Sequence, residues 1–255
     1  MKHQSAKPSH YDKDAKYYDK FNEKKSIAIN QALEEILQNY KVKTILDLTC
    51  GTGSQVFWLA KRGYEVHGLD FNENMLRIAR RKARKEKINV IFLEGDVRNA
   101  QVGKFDAALT IFNAVGHLTK NDFEKAMQNI SQNLNENGLY IFDIFNLSFL
   151  KKKDHITSLT IDWMEKIESK RVRAIQYSAI DEKGILVSYT TSYEQERNAS
   201  LKIAKSVQTL QIYSAKQLEG MLQRNGFKVV QRCNVDGSRF VESKSDRILT
   251  VAKKI

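Results

Sequence analysis

From Ser26 to Asn146, short apolar runs alternate with stretches whose apolar residues recur at helical spacing. Ile27, Ile29, Leu33, Ile36 and Leu37 form one such stripe over residues 26–40. The continuous apolar run 43–48 predicts a strand buried on both faces. Residues 54–62 predict a helix with Val56, Phe57, Leu59 and Ala60 inside and Gly63 as its stop. Strand 64–70 follows, then a helix through Met75, Leu76, Ile78 and Ala79, then strands 88–96 and 105–112. Phe123, Ala126, Met127, Ile130 and Leu134 mark a further helix, ended by Gly138, and 139–145 is a fifth strand. Strands alternating with helices imply right-handed βαβ connections and a parallel sheet with helices on both faces.

Beyond residue 150 the period changes. Segments between His155 and Tyr213 alternate with period two and are rich in β-branched and aromatic residues, with a hairpin turn at 181–184. Residues 151–213 therefore read as an antiparallel β insert after strand five, set within a core of residues 1–150 and 214–255. Ser214 and Gln217 form a capping box that opens a helix through Leu218, Met221 and Leu222. Strands 227–233 and 247–254 complete the chain.

The first strand runs into "LTCGTGSQ". A turn at this place lies where such sheets bind ligands. No lysine follows Gly53, so a P-loop is excluded. If Gly51 and Gly53 open a dinucleotide fingerprint, its third position is Val56, too large for close helix–strand packing. Thr49 stands where related turns often carry a small residue, and its β-carbon requires a negative φ.

Carboxylates then point to a different ligand. Asp47 precedes Gly51 by four residues, placed to help hold an ammonium. Asp70 ends the second strand, where an acid hydrogen-bonds ribose hydroxyls. Asp96 ends the third, where its side chain and the Val97 N–H can read an adenine edge. A lone Asp at a strand end is usually a cap or turn residue. Three in chain order beside a glycine turn describe an amino acid, a ribose and an adenine, the parts of S-adenosylmethionine.

With "ILDLTCGTG", "LDFNENML", "EGDVRN", "FDAALTIFNAVGHL" and "GLYIFDIFN", the chain resembles the class I S-adenosylmethionine-dependent methyltransferases. Within them it is most similar to sugar N-methyltransferases and glycine N-methyltransferase-like proteins. The resemblance implies a Rossmann-like, doubly wound, seven-stranded α/β sheet with its last strand antiparallel, and a substrate-binding role for the insert. It implies that Tyr11, Asp47, Thr49, Gly51, Gly53, Asp70, Phe71, Met75, Asp96, Val97, Phe112 and Asn113 contact the cofactor. Tyr18, in an N-terminal segment similar to one that covers the cofactor, lies near the methyl group by the same resemblance.

Methyl transfer is an in-line displacement in which positioning supplies much of the catalysis. An amine or hydroxyl acceptor can use a general base, and His117, after strand four, is the candidate because imidazole titrates near neutrality. No metal-ligand spacing is present. Neither Cys50 nor Cys233 suits a C5-pyrimidine nucleophile, and the segment after strand four lacks the prolines common in base-amine methylation.

The net charge of +12 admits a polyanionic partner such as RNA. The cations are spread along the chain, and the run 77–87 keeps helical apolar spacing, so a solvated helix face is favoured. Two cysteines and no apolar leader point to the cytoplasm, and no apolar run approaches the ~20 residues of a membrane span. The expected function is methylation of a small molecule on N or O. The alternatives are an RNA or protein methyltransferase, or a non-catalytic S-adenosylmethionine-binding module.

Overall fold

The structure, a computed structural model, describes residues 2–12, 15, 18–151, 161–167, 169–197 and 199–255. The side chains of residues 11, 18, 20–25, 161, 163, 165 and 167 lie outside that description.

Helix α1 (Tyr18–Asn39) leads into β1 (Thr44–Asp47), α2 (Ser54–Ala60), β2 (Glu65–Asp70), α3 (Glu73–Glu86), β3 (Ile91–Glu94) and β4 (Phe105–Thr110). Then come α4 (Lys120–Gln132), β5 (Leu134–Phe145) and α5 (Leu147–Lys151). Strands β6 (Ile161–Ile167), β7 (Lys170–Ile180), β8 (Ile185–Glu196) and β9 (Lys202–Gln211) follow. Helix α6 (Ala215–Arg224), β10 (Phe227–Cys233) and β11 (Arg247–Lys254) end the chain. Seven strands form one sheet in the order β10-β11-β5-β4-β1-β2-β3, with β11 antiparallel to both neighbours. The remaining four form an antiparallel sheet in the order β6-β7-β8-β9.

Alternation along the strands explains the two covered faces of the large sheet. Ile45, Ala107 and Ile141 point to one side, against Ile29 and Leu33 of α1, Val56 of α2 and Leu76 of α3. Leu46, Ala108 and Phe142 point to the other, against Phe123 and Met127 of α4 and Leu218 of α6. Both layers are apolar throughout, as expected for a sheet sandwiched between helices. Ile180, Leu186 and Leu210 tie the four-stranded sheet to Leu147, Leu150 and Ile212.

Some boundaries move for local reasons. Helix α4 ends at Gln132, not at Gly138, because Asn133 terminates it. The Asn133 side chain accepts from the Val102 N–H at 2.8 Å and donates to the Ala100 carbonyl at 2.9 Å, pinning the chain at that point. The capping box of α6 is present as read, with the Gln217 N–H donating to Ser214 and the Ser214 N–H to Gln217. Among the described residues, no helix is long and apolar enough to cross a membrane.

Candidate active site

β1 delivers Asp47 to the start of the glycine turn. Asp47 is buried; its Oδ1 accepts from the Thr49 N–H at 3.2 Å, while Oδ2 has no partner. Burial, and secondarily the charge of Asp70, push its carboxyl up to about 7. An acid in that state is poised for a cation, since a nearby positive charge restores the ionised form. Thr49 stays out of the left-handed region; Gly51 (φ +53) and Gly53 (φ +91) occupy it.

The two glycines do different work. A Cβ on Gly51 would meet nothing within 4 Å, so its face is open to a ligand. One on Gly53 would sit 2.6 Å from the Phe57 ring. The Gly53 N–H donates to the Cys50 carbonyl at 2.8 Å. Gly53 closes the turn. Cys50 is buried beneath the turn, its thiol pushed well up by burial.

β2 delivers Asp70. Its Oδ2 accepts from the Gly51 N–H at 2.8 Å and its Oδ1 from the Asn72 N–H at 2.9 Å. Burial raises its pKa against the pull of those amides. Each oxygen keeps acceptor capacity toward the cavity that Asp70 lines. That cavity encloses about 810 Å3 including its mouth. Thr49, Gly51, Phe71, Met75, Val97 and Phe112 line it, and His117 and Leu118 close its far side.

Asp96 also lines the cavity. Both of its oxygens are held by the Arg98 guanidinium, which also reaches Asp122 at 2.9 Å. Burial pushes the Asp96 carboxyl up, and the Arg98 bonds overcome this and hold it low. The Asn113 side chain turns toward the sheet, its Oδ1 accepting from the Phe145 N–H at 3.1 Å, and it lines no part of the cavity. The side chains of Tyr11 and Tyr18 lie outside the described residues.

His117 is half-buried, and its imidazole is pushed down to about 3, first by burial and then by the neighbouring His10 and His3. An imidazole held that low is neutral at pH 7. Its Nδ1 lies 3.4 Å from the Gln208 amide of β9, which also reaches His10 at 3.3 Å.

Several participants escaped the sequence because their partners are distant in the chain. Residues 2–12 run across the cavity from β9 to α3. His3 bonds Thr209 at 2.9 Å, the Ala6 N–H donates to the His117 carbonyl at 2.9 Å, and Asn72 donates to the Pro8 carbonyl at 2.5 Å. Asn72 also caps α3 through the Met75 N–H at 2.9 Å; its place as N-cap was the only local signal. Asp19 ties α1 to α3 through Lys82 at 2.6 Å and to the turn by accepting from the Thr52 hydroxyl at 2.5 Å. Arg77, Arg81, Arg84 and Lys85 lie on the exposed face of α3, whose buried side is Met75, Leu76, Ala79 and Ala83.

A doubly covered sheet with an antiparallel last strand, and acids at the ends of its first two strands around a glycine turn, resembles the arrangement of the class I S-adenosylmethionine-dependent methyltransferases. Comparison with known proteins agrees. Residues 45–138 match the family model described as "Methyltransferase domain". A glycine N-methyltransferase from Oryctolagus cuniculus is 26% identical over 48% of this chain and 45% of its own length. A dTDP-3-amino-3,4,6-trideoxy-alpha-D-glucopyranose N,N-dimethyltransferase from Streptomyces venezuelae is 28% identical over 40% of this chain and 43% of its own. The chain thus spans about half the length of the curated relatives it matches, with 60% and 41% for two others. A solved S-adenosylmethionine-dependent methyltransferase from Clostridium acetobutylicum shares the fold at a TM-score of 0.79, with 20% identity over 96% of this chain and 98% of that one. Residues 45–138 thus match a methyltransferase domain, and the chain as a whole shares the fold of a solved S-adenosylmethionine-dependent methyltransferase.

Proposed function

We propose that this chain methylates a nitrogen or oxygen atom of a small polar molecule, with S-adenosylmethionine as donor. The observation that carries this is the unpartnered, buried Asp47 Oδ2 behind an open glycine turn, with Asp70 beside it. That donor set suits a cationic amino-acid end and a ribose, and the apolar walls Phe71, Met75 and Val97 suit an adenine. S-adenosylmethionine supplies, when bound, an electrophilic methyl group on a positively charged sulfur. Asp47 would hold its ammonium and Asp70 its ribose hydroxyls. Residues 2–12 cover the mouth and exclude water.

The acceptor side is polar and uncharged. Gln208 and His117 meet where β9 approaches the turn after β4. On the same face of the four-stranded sheet, Ser178 bonds Ser188 at 2.7 Å and Thr190 bonds Gln176 at 3.0 Å. We take this sheet, within residues 151–213, as the acceptor-binding unit and the rest of the chain as the donor-binding core. The sugar and glycine N-methyltransferase relatives favour nitrogen over oxygen. Calorimetric binding of S-adenosylmethionine, followed by turnover across small amines and alcohols, tests the proposal. No binding by the wild-type chain rejects it. Binding without turnover on any acceptor favours a non-catalytic module, and turnover only on RNA or protein favours a macromolecular acceptor.

A neutral imidazole with a pKa near 3 is a poor base for an acceptor. The acceptor must arrive as a neutral nucleophile, and His117 orients it. His117→Gln is accordingly expected to lower kcat by less than about tenfold and to leave the shape of the kcat/KM–pH profile unchanged. Loss of an essential base would cost about 100- to 10,000-fold and remove a limb of the profile.

A further inference from the structure

The turn after β4 holds two consecutive non-glycine residues in the left-handed region, Phe112 (φ +64) and Asn113 (φ +58). L-residues avoid this region, and such outliers persist only where the surroundings force them. Phe112 lines the cavity described above and also a second one behind the glycine turn, bounded by Asn30, Gln55 and Trp58. Its angle therefore sets the wall that the two share with Thr49 and Gly51. His117 follows in the same turn.

The restraint comes from the opposite end of the chain. The Asn113 N–H donates to Asp143 Oδ1 at 3.3 Å, and the Asn113 Oδ1 receives the Phe145 N–H. Asp143, on β5, is wholly buried, and its Oδ2 is ion-paired with the Arg247 guanidinium. Arg247 opens β11 opposite Phe145, with its guanidinium carbon 5.5 Å from the centre of that ring. The turn is also tight inside: the Gly116 N–H donates to the Asn113 carbonyl at 3.0 Å, and a Cβ on Gly116 would lie 2.7 Å from the Asn113 amide nitrogen.

We propose that Asp143 and Arg247 are positioning residues for methyl transfer: through Asn113 they hold the left-handed turn that fixes Phe112 and His117. The proposal rests on the methyltransferase reading of the cavity. Neither residue lines the cavity, and the adenosine side built on Asp70, Phe71 and Val97 does not depend on them. The ion pair keeps the Asp143 carboxylate aimed at the Asn113 amide. Without the guanidinium the carboxylate is free to turn, and the turn relaxes toward ordinary backbone angles.

The test compares Arg247→Met, Arg247→Lys and Asp143→Asn with wild type. Amide hydrogen exchange on the unliganded proteins is expected to quicken at residues 112–117 by about tenfold or more in Arg247→Met, with the strands of the large sheet unchanged. The kcat is expected to fall by about 10- to 100-fold, the scale of a small misplacement of reacting groups. The S-adenosylmethionine Kd is expected to stay within about threefold, and Arg247→Lys to recover part of both effects. An unchanged exchange rate in the turn, or losses that only track a lower Tm across the whole chain, overturns the proposal. If Asp143→Asn does not fold, the two Arg247 variants decide. If the wild type binds no S-adenosylmethionine, the cavity reading fails while the exchange arm still tests the restraint.

Discussion

Asp70→Ala is expected to weaken S-adenosylmethionine binding by about 10- to 100-fold in a calorimetric titration. A hydrogen bond to a charged group contributes about 1.5–3 kcal/mol, and each 1.4 kcal/mol is about a decade of affinity. Asp70 would offer ribose such bonds from a site that is 8% exposed, so water cannot replace them cheaply. The variant loses more than those contacts, because the Gly51 and Asn72 amides lose their acceptor as well. Those amides shape the glycine turn and the start of α3, so Tm is expected to fall too. Asp70→Asn separates the two effects. It keeps one side-chain oxygen for the backbone but has no charge, so affinity should drop by an intermediate factor while Tm stays closer to wild type. A folded Asp70→Ala protein with unchanged affinity would remove Asp70 from the cofactor site.

What the sequence made legible follows from distance along the chain. Asp47, Thr49, Gly51 and Asp70 are joined by bonds that span at most 19 residues and lie within two βα units, so their proximity was legible from the chain. The alternation of strands and helices was readable because both faces of the large sheet are covered, which gives each strand a continuous apolar run. The Asp96–Arg98 pair was not readable although the two are only two residues apart, since sequence does not say which of several acceptors a guanidinium chooses. The closeness of Gly53 to the Phe57 ring was not readable, because a glycine kept for a neighbouring ring reads like one kept for a ligand. The His117 environment was unreadable: its pKa is set by burial, His10 and His3, and its side-chain partner Gln208 is 91 residues away. The Asp143–Arg247 pair spans 104 residues and leaves no local pattern at all.

Cofactor binding is expected to tighten with pH because of Asp47. In the unliganded protein its carboxyl is pushed up to about 7, chiefly by burial, from an ordinary value of 3.8. Between those values the folded chain holds a proton that the unfolded chain has released, so the folded state loses stability as pH rises from about 4 to about 7. A ligand ammonium beside the empty Oδ2 reverses the balance by favouring the carboxylate, so ligand binding expels the proton. At pH 6 about one molecule in eleven has Asp47 ionised, and at pH 8 about ten in eleven. S-adenosylhomocysteine, whose amino group remains protonated over this range, should therefore bind about tenfold more tightly at pH 8 than at pH 6. Titrations at pH 6 in buffers of different ionisation enthalpy should show release of nearly one proton per ligand. Asp47→Asn should abolish both the pH dependence and the proton release, and weaken binding at pH 8, while raising Tm there by removing a buried charge. Adenosine, which has no ammonium, provides the internal control: its affinity should not change between pH 6 and pH 8. If adenosine and S-adenosylhomocysteine respond to pH alike, Asp47 does not face the amino-acid end of the ligand. A ligand that orients by its ammonium would then need another anchor, and the unpartnered oxygen of Asp47 would be a structural cost with no binding role.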